Sequence, residues 1–259
     1  MDKLDSKLRE LIVTFRKLRD PEKGCPWDKE QDFKSIASCA IEESYEVADA
    51  IEREDFDDLK AELGDLLFQI IFHSEMAKEK DLFTLEEVIE EINSKLIRRH
   101  PHVFDDGNVK DAKDSLRIWE DIKAEERSEK YLNSVMDDVP KNLPSLTRTK
   151  KLQKRATRVG FDWSNSKEIL EKIDEEIAEL KDEDAKSNKE GIAEEIGDVL
   201  FTLIRLSGYY DLEPEDIIRK TNLKFENRFR KMENEAKSMK TNLNAMTLNE
   251  LEILWQKVK

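Results

Sequence analysis

The chain has 259 residues, with 60 acidic against 45 basic side chains and a formal net charge of −15, a sign that repels nucleic acid and anionic membranes alike. Its two cysteines, Cys25 and Cys39, cannot supply a disulfide framework or a four-ligand zinc site. Neither the opening MDKLDSKLRELIVTF nor any later segment has the apolar run of a signal peptide or a membrane span, so a cytoplasmic protein is expected.

Apolar residues recur at three- and four-residue spacing almost everywhere, and no stretch alternates, which predicts an all-α fold. The N-terminal run breaks at DPEKGCPWD (20–28). A helix then carries the acidic block IEESYE (41–46), in which Glu42 and Glu46 are four apart and Glu43 and Glu46 three apart, all on one side. A break at EREDFDD (52–58) lets the chain fold back into a helix marked by Leu59, Leu63, Leu66, Leu67, Ile70 and Ile71. Glu62 and Asp65 stand three apart on it, with Gly64 between them. The next helix, marked by Val88, Ile89, Ile92 and Leu96, ends in KLIRR before RRHPHVFDDG, and WEDIK (119–123) follows.

The same order then recurs. DEEIAE (174–179) matches IEESYE, and EIGDVLF (195–201) matches ELGDLLF (62–68), both at an offset of 133. NLKFENR (222–228) matches NSKLIRR (93–99) at an offset of 129, and WQKVK (255–259) matches WEDIK at an offset of 136. Trp27 and Trp119 are 92 residues apart, as are Trp163 and Trp255. Two homologous helical domains are therefore expected, at 1–125 and 145–259, joined by a polar, proline-punctuated linker at 126–144.

If the helices of each acidic block pair antiparallel, Glu42, Glu43, Glu46, Glu62 and Asp65 converge, as do Glu175, Glu176, Glu179, Glu195 and Asp198. Neither block contains a lysine or arginine to neutralise them. Carboxylates packed in this way are tolerable around a divalent cation, and all-oxygen ligands select a hard one, Mg2+ with Mn2+ as a substitute. Glycine in a helix interior costs about 1 kcal/mol relative to alanine. Its recurrence as Gly64 and Gly197 points to something approaching the helix backbone beside the aspartate, either a neighbouring helix or a ligand, with close helix packing the plainer reading.

Other metal and phosphate architectures are absent. Ile70, Ile97 and Arg99 stand three residues before His73, His100 and His102, so there is no Glu-x-x-His pair of the di-iron kind, and no P-loop string occurs. His73 reads as a packed residue. Mg2+ held by carboxylates on one side meets phosphate oxygens on the other, and phosphate needs cationic donors. Lys95, Arg98, Arg99 and Lys123 supply them in the first half, and Lys224, Arg228 and Lys259 in the second. Trp119 and Trp255, each four residues before a terminal lysine of its motif, suit either base stacking or a core.

The pattern E-E-x-x-E, fifteen residues, E-x-x-D, found at Glu42–Asp65 and again at Glu175–Asp198, resembles the signature of MazG-type nucleoside triphosphate pyrophosphohydrolases, members of the all-α NTP pyrophosphohydrolase superfamily. CPWDKEQDFKS (25–35), RRHPHVF (98–104), KRATRVGFDW (154–163) and the terminal WQKVK are similar to that family's two-domain members. The resemblance implies two tandem four-helix-bundle-type domains, a homodimer, and hydrolysis of nucleoside triphosphates between the α- and β-phosphates. By position, Glu43, Glu46, Glu62 and Asp65 would hold Mg2+ in the first half, and Glu176, Glu179, Glu195 and Asp198 in the second. Glu42 and Glu175 would flank the metal and orient water, and the basic residues already named would grip phosphate. Asn227 stands where Arg98 does in the first half, and the second half lacks the PHVF and CPWD surroundings. The alternatives are a phosphohydrolase of the same scaffold specific for dUTP or phosphoribosyl-ATP, and a non-catalytic helical protein whose acidic repeats contact a basic partner.

Overall fold

Rich in Glu, Lys and Leu and poor in glycine, the chain favours helix wherever a turn signal does not interrupt it. The structure, a computed structural model, describes residues 3–105, 109–128 and 134–259. Among them there are helices and turns and no strand. No helix among the described residues is long and apolar enough to cross a membrane. The chain divides into two units, Met1–Glu126 and Arg127–Lys259.

The first unit comprises α1 (Lys3–Leu18), the short α2 (Pro26–Glu30), α3 (Ala37–Glu52), α4 (Phe56–Glu79), α5 (Leu85–Arg99), the short α6 (Pro101–Phe104) and α7 (Ala112–Ser128), whose last residues belong to the second unit. The second comprises α8 (Ser145–Arg158), α9 (Ser166–Ala185), α10 (Lys189–Tyr209), α11 (Pro214–Ser238), a 3-10 turn at Leu243–Ala245 and α12 (Leu248–Lys257). Of the expected linker, residues 126–128 continue α7, 129–133 lie outside the described residues, and 134–144 form turns and irregular backbone.

The returning helix is central in both units: α4 packs on α1, α3 and α5, and α10 packs on α8, α9 and α11. Local chemistry sets where these helices begin. Asp55 accepts from the Asp58 N–H at the start of α4, and Asn165 accepts from Lys167 and Glu168 at the start of α9. Thr84 with Glu87 and Thr247 with Glu250 form capping boxes on α5 and α12. The turns repeat as the sequence does. Glu54 between α3 and α4 has φ 55°, and Ser187 between α9 and α10 has φ 56°. After the returning helices, Asp81 (φ 53°) and Asp211 (φ 56°) again take the left-handed conformation.

The core of the first unit is aromatic. Phe15 of α1 meets Phe72 and Phe68 of α4 edge-on, at centroid distances of 4.7 and 5.5 Å. Ile36, Ile71, Met76 and Leu85 complete the buried set. Gly24 lets the chain turn tightly under α1, because a Cβ there would lie 2.4 Å from the Leu18 carbonyl oxygen. At the edge of this core Arg16 forks onto the buried Glu75 at 2.6 and 2.9 Å. The second unit buries Met232, Ala236 and Leu254, with Trp255 packed against them, and Ile169, Ile173 and Ile204 elsewhere.

Phe72 is 1% exposed and holds α1 to α4. Phe72→Ala is expected to cost about 3–5 kcal/mol. Urea unfolding followed by circular dichroism should show this loss in the transition of the first unit, leaving that of the second in place.

Candidate functional site

The hairpins α3–α4 and α9–α10 place the acidic residues. Arg53 ties the first hairpin together, bonding Asp49 at 2.7 Å, Asp55 at 3.3 Å and Asp58 across the turn. With the turn held, Glu43 of α3 and Glu62 and Asp65 of α4 bring one carboxylate oxygen each within 4.8 Å of one another. In the second unit Glu176 and Glu179 of α9 and Glu195 of α10 meet by the same measure. Glu46 and Asp198 lie outside these triplets but close by. Glu46 shares a hydrogen bond with Glu43 and repels Glu62, while Asp198 repels Glu195. Glu42 and Glu175 are exposed on the flanks.

Crowding shows in the titration of these groups. Burial, followed by the charges of Asp65 and Glu46, pushes the Glu43 carboxyl above the usual carboxylate range. Burial and then Glu46, Asp58, Asp65 and Glu43 do the same to Glu62. Glu195 rises through burial and the charges of Glu179, Glu176 and Asp198, and Glu179 through burial and its hydrogen bond with Glu176. Oε2 of Glu195 is buried with no hydrogen-bond partner. Convergent oxygens, mutual repulsion and an orphaned carboxylate oxygen fit a hard divalent cation.

The two sites differ in a way the sequence reading missed. Lys172 of α9 bonds Glu175 at 2.8 Å and Glu176 at 3.0 Å. The expectation that no cation enters the acidic blocks therefore fails in the second unit, since a lysine one helical turn before the block reaches into it. In the first unit that position is Cys39, which packs against the core. Among the described residues no lysine or arginine pairs with Glu42, Glu43, Glu46, Glu62 or Asp65. Glu43 instead accepts from the side chain of Gln69, a buried residue one turn beyond Asp65.

Gly64 and Gly197 have no atom within 4 Å of where a Cβ would stand. Among the described residues no helix of the same chain packs closely on these glycines, the plainer expectation for them: both face open space.

The basic residues form a separate cluster. Arg98 and Arg99 of α5 both fork onto Glu126 of α7, with Nε of Arg98 at 2.8 Å and Nη2 of Arg99 at 2.5 Å. Arg99 and then Arg98 hold the Glu126 carboxyl at about 2. The Trp119 ring lies beneath Lys123 (4.0 Å to the centroid) and Arg99 (5.8 Å). Lys95 pairs with Glu91 at 3.3 Å. In the second unit Arg228 stands 5.7 Å from the Trp255 centroid, and Lys224 and Lys259 are exposed. Both tryptophans are half-buried, each with one face given to a cation. His73 stacks on Phe33 at 6.0 Å and burial lowers its pKa, as a packed imidazole requires.

Comparison with known proteins places these helices within two family models. Residues 31–104 match the MazG nucleotide pyrophosphohydrolase domain, and residues 143–225 match phosphoribosyl-ATP pyrophosphohydrolase. A nucleoside triphosphate pyrophosphohydrolase of Escherichia coli is 44% identical over 98% of this chain and 97% of its own. A Thermotoga maritima protein named nucleoside triphosphate pyrophosphohydrolase/pyrophosphatase MazG is 41% identical over 96% of this chain and 94% of its own. YabN of Bacillus subtilis is 42% identical over 98% of this chain but only 51% of its own length.

The crowded carboxylates set a pH dependence. A carboxyl raised in the folded state binds more protons folded than unfolded, so stability falls as pH climbs from 4.5 through the raised values of Glu43 and Glu62. Glu126 works in the opposite window, its contribution being lost as pH falls from 4.5 towards about 2. In chelator-treated protein, Glu62→Gln should raise Tm by about 2 °C near neutral pH and flatten the decline above pH 4.5. Thermal melts across pH check both. An unchanged profile would mean that Glu62 is not under repulsion.

Proposed function

This chain belongs to the family of MazG-type nucleoside triphosphate pyrophosphohydrolases, and on that premise we propose that it hydrolyses nucleoside triphosphates between the α- and β-phosphates, with Mg2+, to a monophosphate and pyrophosphate. The observation that carries the reading is the convergence of three carboxylates on a helix hairpin, repeated in both units.

Glu43, Glu46, Glu62 and Asp65 are assigned to hold Mg2+ in the first half, and Glu176, Glu179, Glu195 and Asp198 in the second. The bound cation supplies Lewis acidity towards the phosphate and lowers the pKa of water. Glu42 and Glu175 flank each site as exposed carboxylates suited to orient the attacking water and accept its proton. Arg98 and Arg99 give up one carboxylate, Glu126, in exchange for phosphate oxygens, keeping two-pronged, charge-assisted bonds throughout. Lys95 and Lys123, with Lys224, Arg228 and Lys259 in the second half, add charge where pyrophosphate departs. Trp119 and Trp255 offer a ring face to a base beside those cations.

The match of residues 143–225 favours phosphoribosyl-ATP as a second substrate to examine, one cleaved on the same scaffold. A purely adhesive role for the acidic repeats is disfavoured by the first site, where Glu43, Glu62 and Asp65 bring carboxylate oxygens within 4.8 Å of one another.

We further assign the chain to a homodimer. Leu63, Leu67 and Ile70 of α4 form an exposed apolar stripe (49, 40 and 44%), and Ile196, Leu200 and Leu203 of α10 repeat it (45, 50 and 44%). Stripes of this kind next to the open glycines suit burial against a second copy. Light scattering should give twice the 30.4 kDa chain mass, and a stable 30.4 kDa monomer would overturn the assignment.

The activity is tested by product analysis with the common ribo- and deoxyribonucleoside triphosphates and phosphoribosyl-ATP in Mg2+. Monophosphate and pyrophosphate are expected from a triphosphate. Asp65→Asn or Asp198→Asn, whichever lies in the working half, should lower kcat by about 10²–10³-fold. Release of diphosphate and orthophosphate, or no turnover of any of them, would overturn the reading.

A further inference from the structure

The two carboxylate sites share a hairpin, a register and a ligand chemistry, yet among the described residues only one contains a lysine. The Lys172 ammonium sits 3.0 Å from Glu176, a triplet member only 5% exposed, and 2.8 Å from the flanking Glu175. Its stem lies along α9, so the ammonium is delivered from within the same helix that presents the carboxylates. At the matched position of α3, Cys39 is partly buried and packs against the core cluster instead. The carboxylates of the first site accordingly repel one another, whereas one oxygen of Glu176 is already committed to a cation.

We propose that Lys172 is an internal counter-cation of the second site, so that the two halves take up a divalent ion unequally, the first ahead of the second. The inference rests on the assignment of both triplets as metal sites and goes beyond it by ranking them. A metal ion entering the first site relieves repulsion and displaces nothing from the protein. An ion entering the second must compete with the Lys172 ammonium for Glu176 and leave that ammonium beside a dication. Lys172 is only partly buried, which tempers the cost, and a preference of about tenfold is expected. Among the described residues nothing in the first half plays the same part, so the ranking is written into one residue pair, Cys39 and Lys172.

Mn2+ binding to the full chain, read by the loss of the aqueous Mn2+ electron paramagnetic resonance signal, tests the proposal without reference to turnover. Glu195→Gln leaves the first site to be read alone, and Glu62→Gln the second. The first should bind Mn2+ about tenfold more tightly. In the Glu62→Gln background, Lys172→Met keeps the aliphatic stem and removes the charge, and should tighten the second site by about tenfold. Lys172→Arg should leave it weak, which a merely structural helix contact would not require. Equal affinities in the two backgrounds, or a second site unchanged or weakened by Lys172→Met, would overturn the ranking while leaving both metal sites standing. Failure of either site to bind Mn2+ would overturn the metal assignment itself, and the ranking with it.

Discussion

Carboxylates forced together against their own repulsion are the constraint around which the rest of this chain is arranged. Glu43, Glu62 and Asp65 meet within 4.8 Å only because α3 and α4 are bound into a hairpin that cannot splay. Arg53 fastens the turn through three aspartates at once, and Ala50 near the turn and Ile71 and Phe72 further along α4 are buried almost completely. The apolar core therefore supplies the cohesion that the acidic face spends. The packing that holds the helices together works against the mutual repulsion of the charges they carry. Binding a divalent ion to the folded form alone shifts the folding equilibrium in its favour.

The two halves carry one such cluster each, and they differ in both their polar and their apolar parts. Lys172 replaces the Cys39 position beside the carboxylates. On the returning helix, the position of the buried Phe72 is taken by Arg205, which forks onto Asp162 at 2.7 and 2.6 Å. An ion pair thus stands in the second unit where the first has an edge-to-face aromatic contact. Exchanges of that kind preserve the hairpin while changing the charge in and around it. The family models divide in the same way, a MazG domain over the first half and phosphoribosyl-ATP pyrophosphohydrolase over the second.

Helical periodicity, the repeat and the acidic register were legible because each is a matter of spacing along one helix, which a linear sequence preserves. Glu43 and Glu46, or Glu62 and Asp65, share a face whatever surrounds them. Lys172 was legible in principle by the same rule, standing three and four residues before Glu175 and Glu176; a block drawn to begin at the first acid left it out. Glu126 was not legible, since its pairing with Arg98 and Arg99 joins α5 to α7 across 27 residues or more and depends on how those helices meet. Gln69 was hidden by its chemistry: an amide on an apolar helix gives no sign that it faces a carboxylate. The glycines misled for a related reason. The sequence indicates that a side chain is missing at Gly64 and Gly197, whereas only the fold reveals that the space beside them is open.

The left-handed residues Glu54 and Ser187 bear on how such a protein can change over time. Each closes a three-residue turn between its two helices. One residue added there would wind α4 or α10 forward by about 100° and carry its glutamate and aspartate off the site altogether. The two halves keep one spacing across the hairpins and differ outside them. The offset is 133 across both acidic segments and drifts to 129 and 136 beyond them. The turn acts as a gauge that both halves keep, and the fifteen-residue interval between the acidic pairs is the measure it sets.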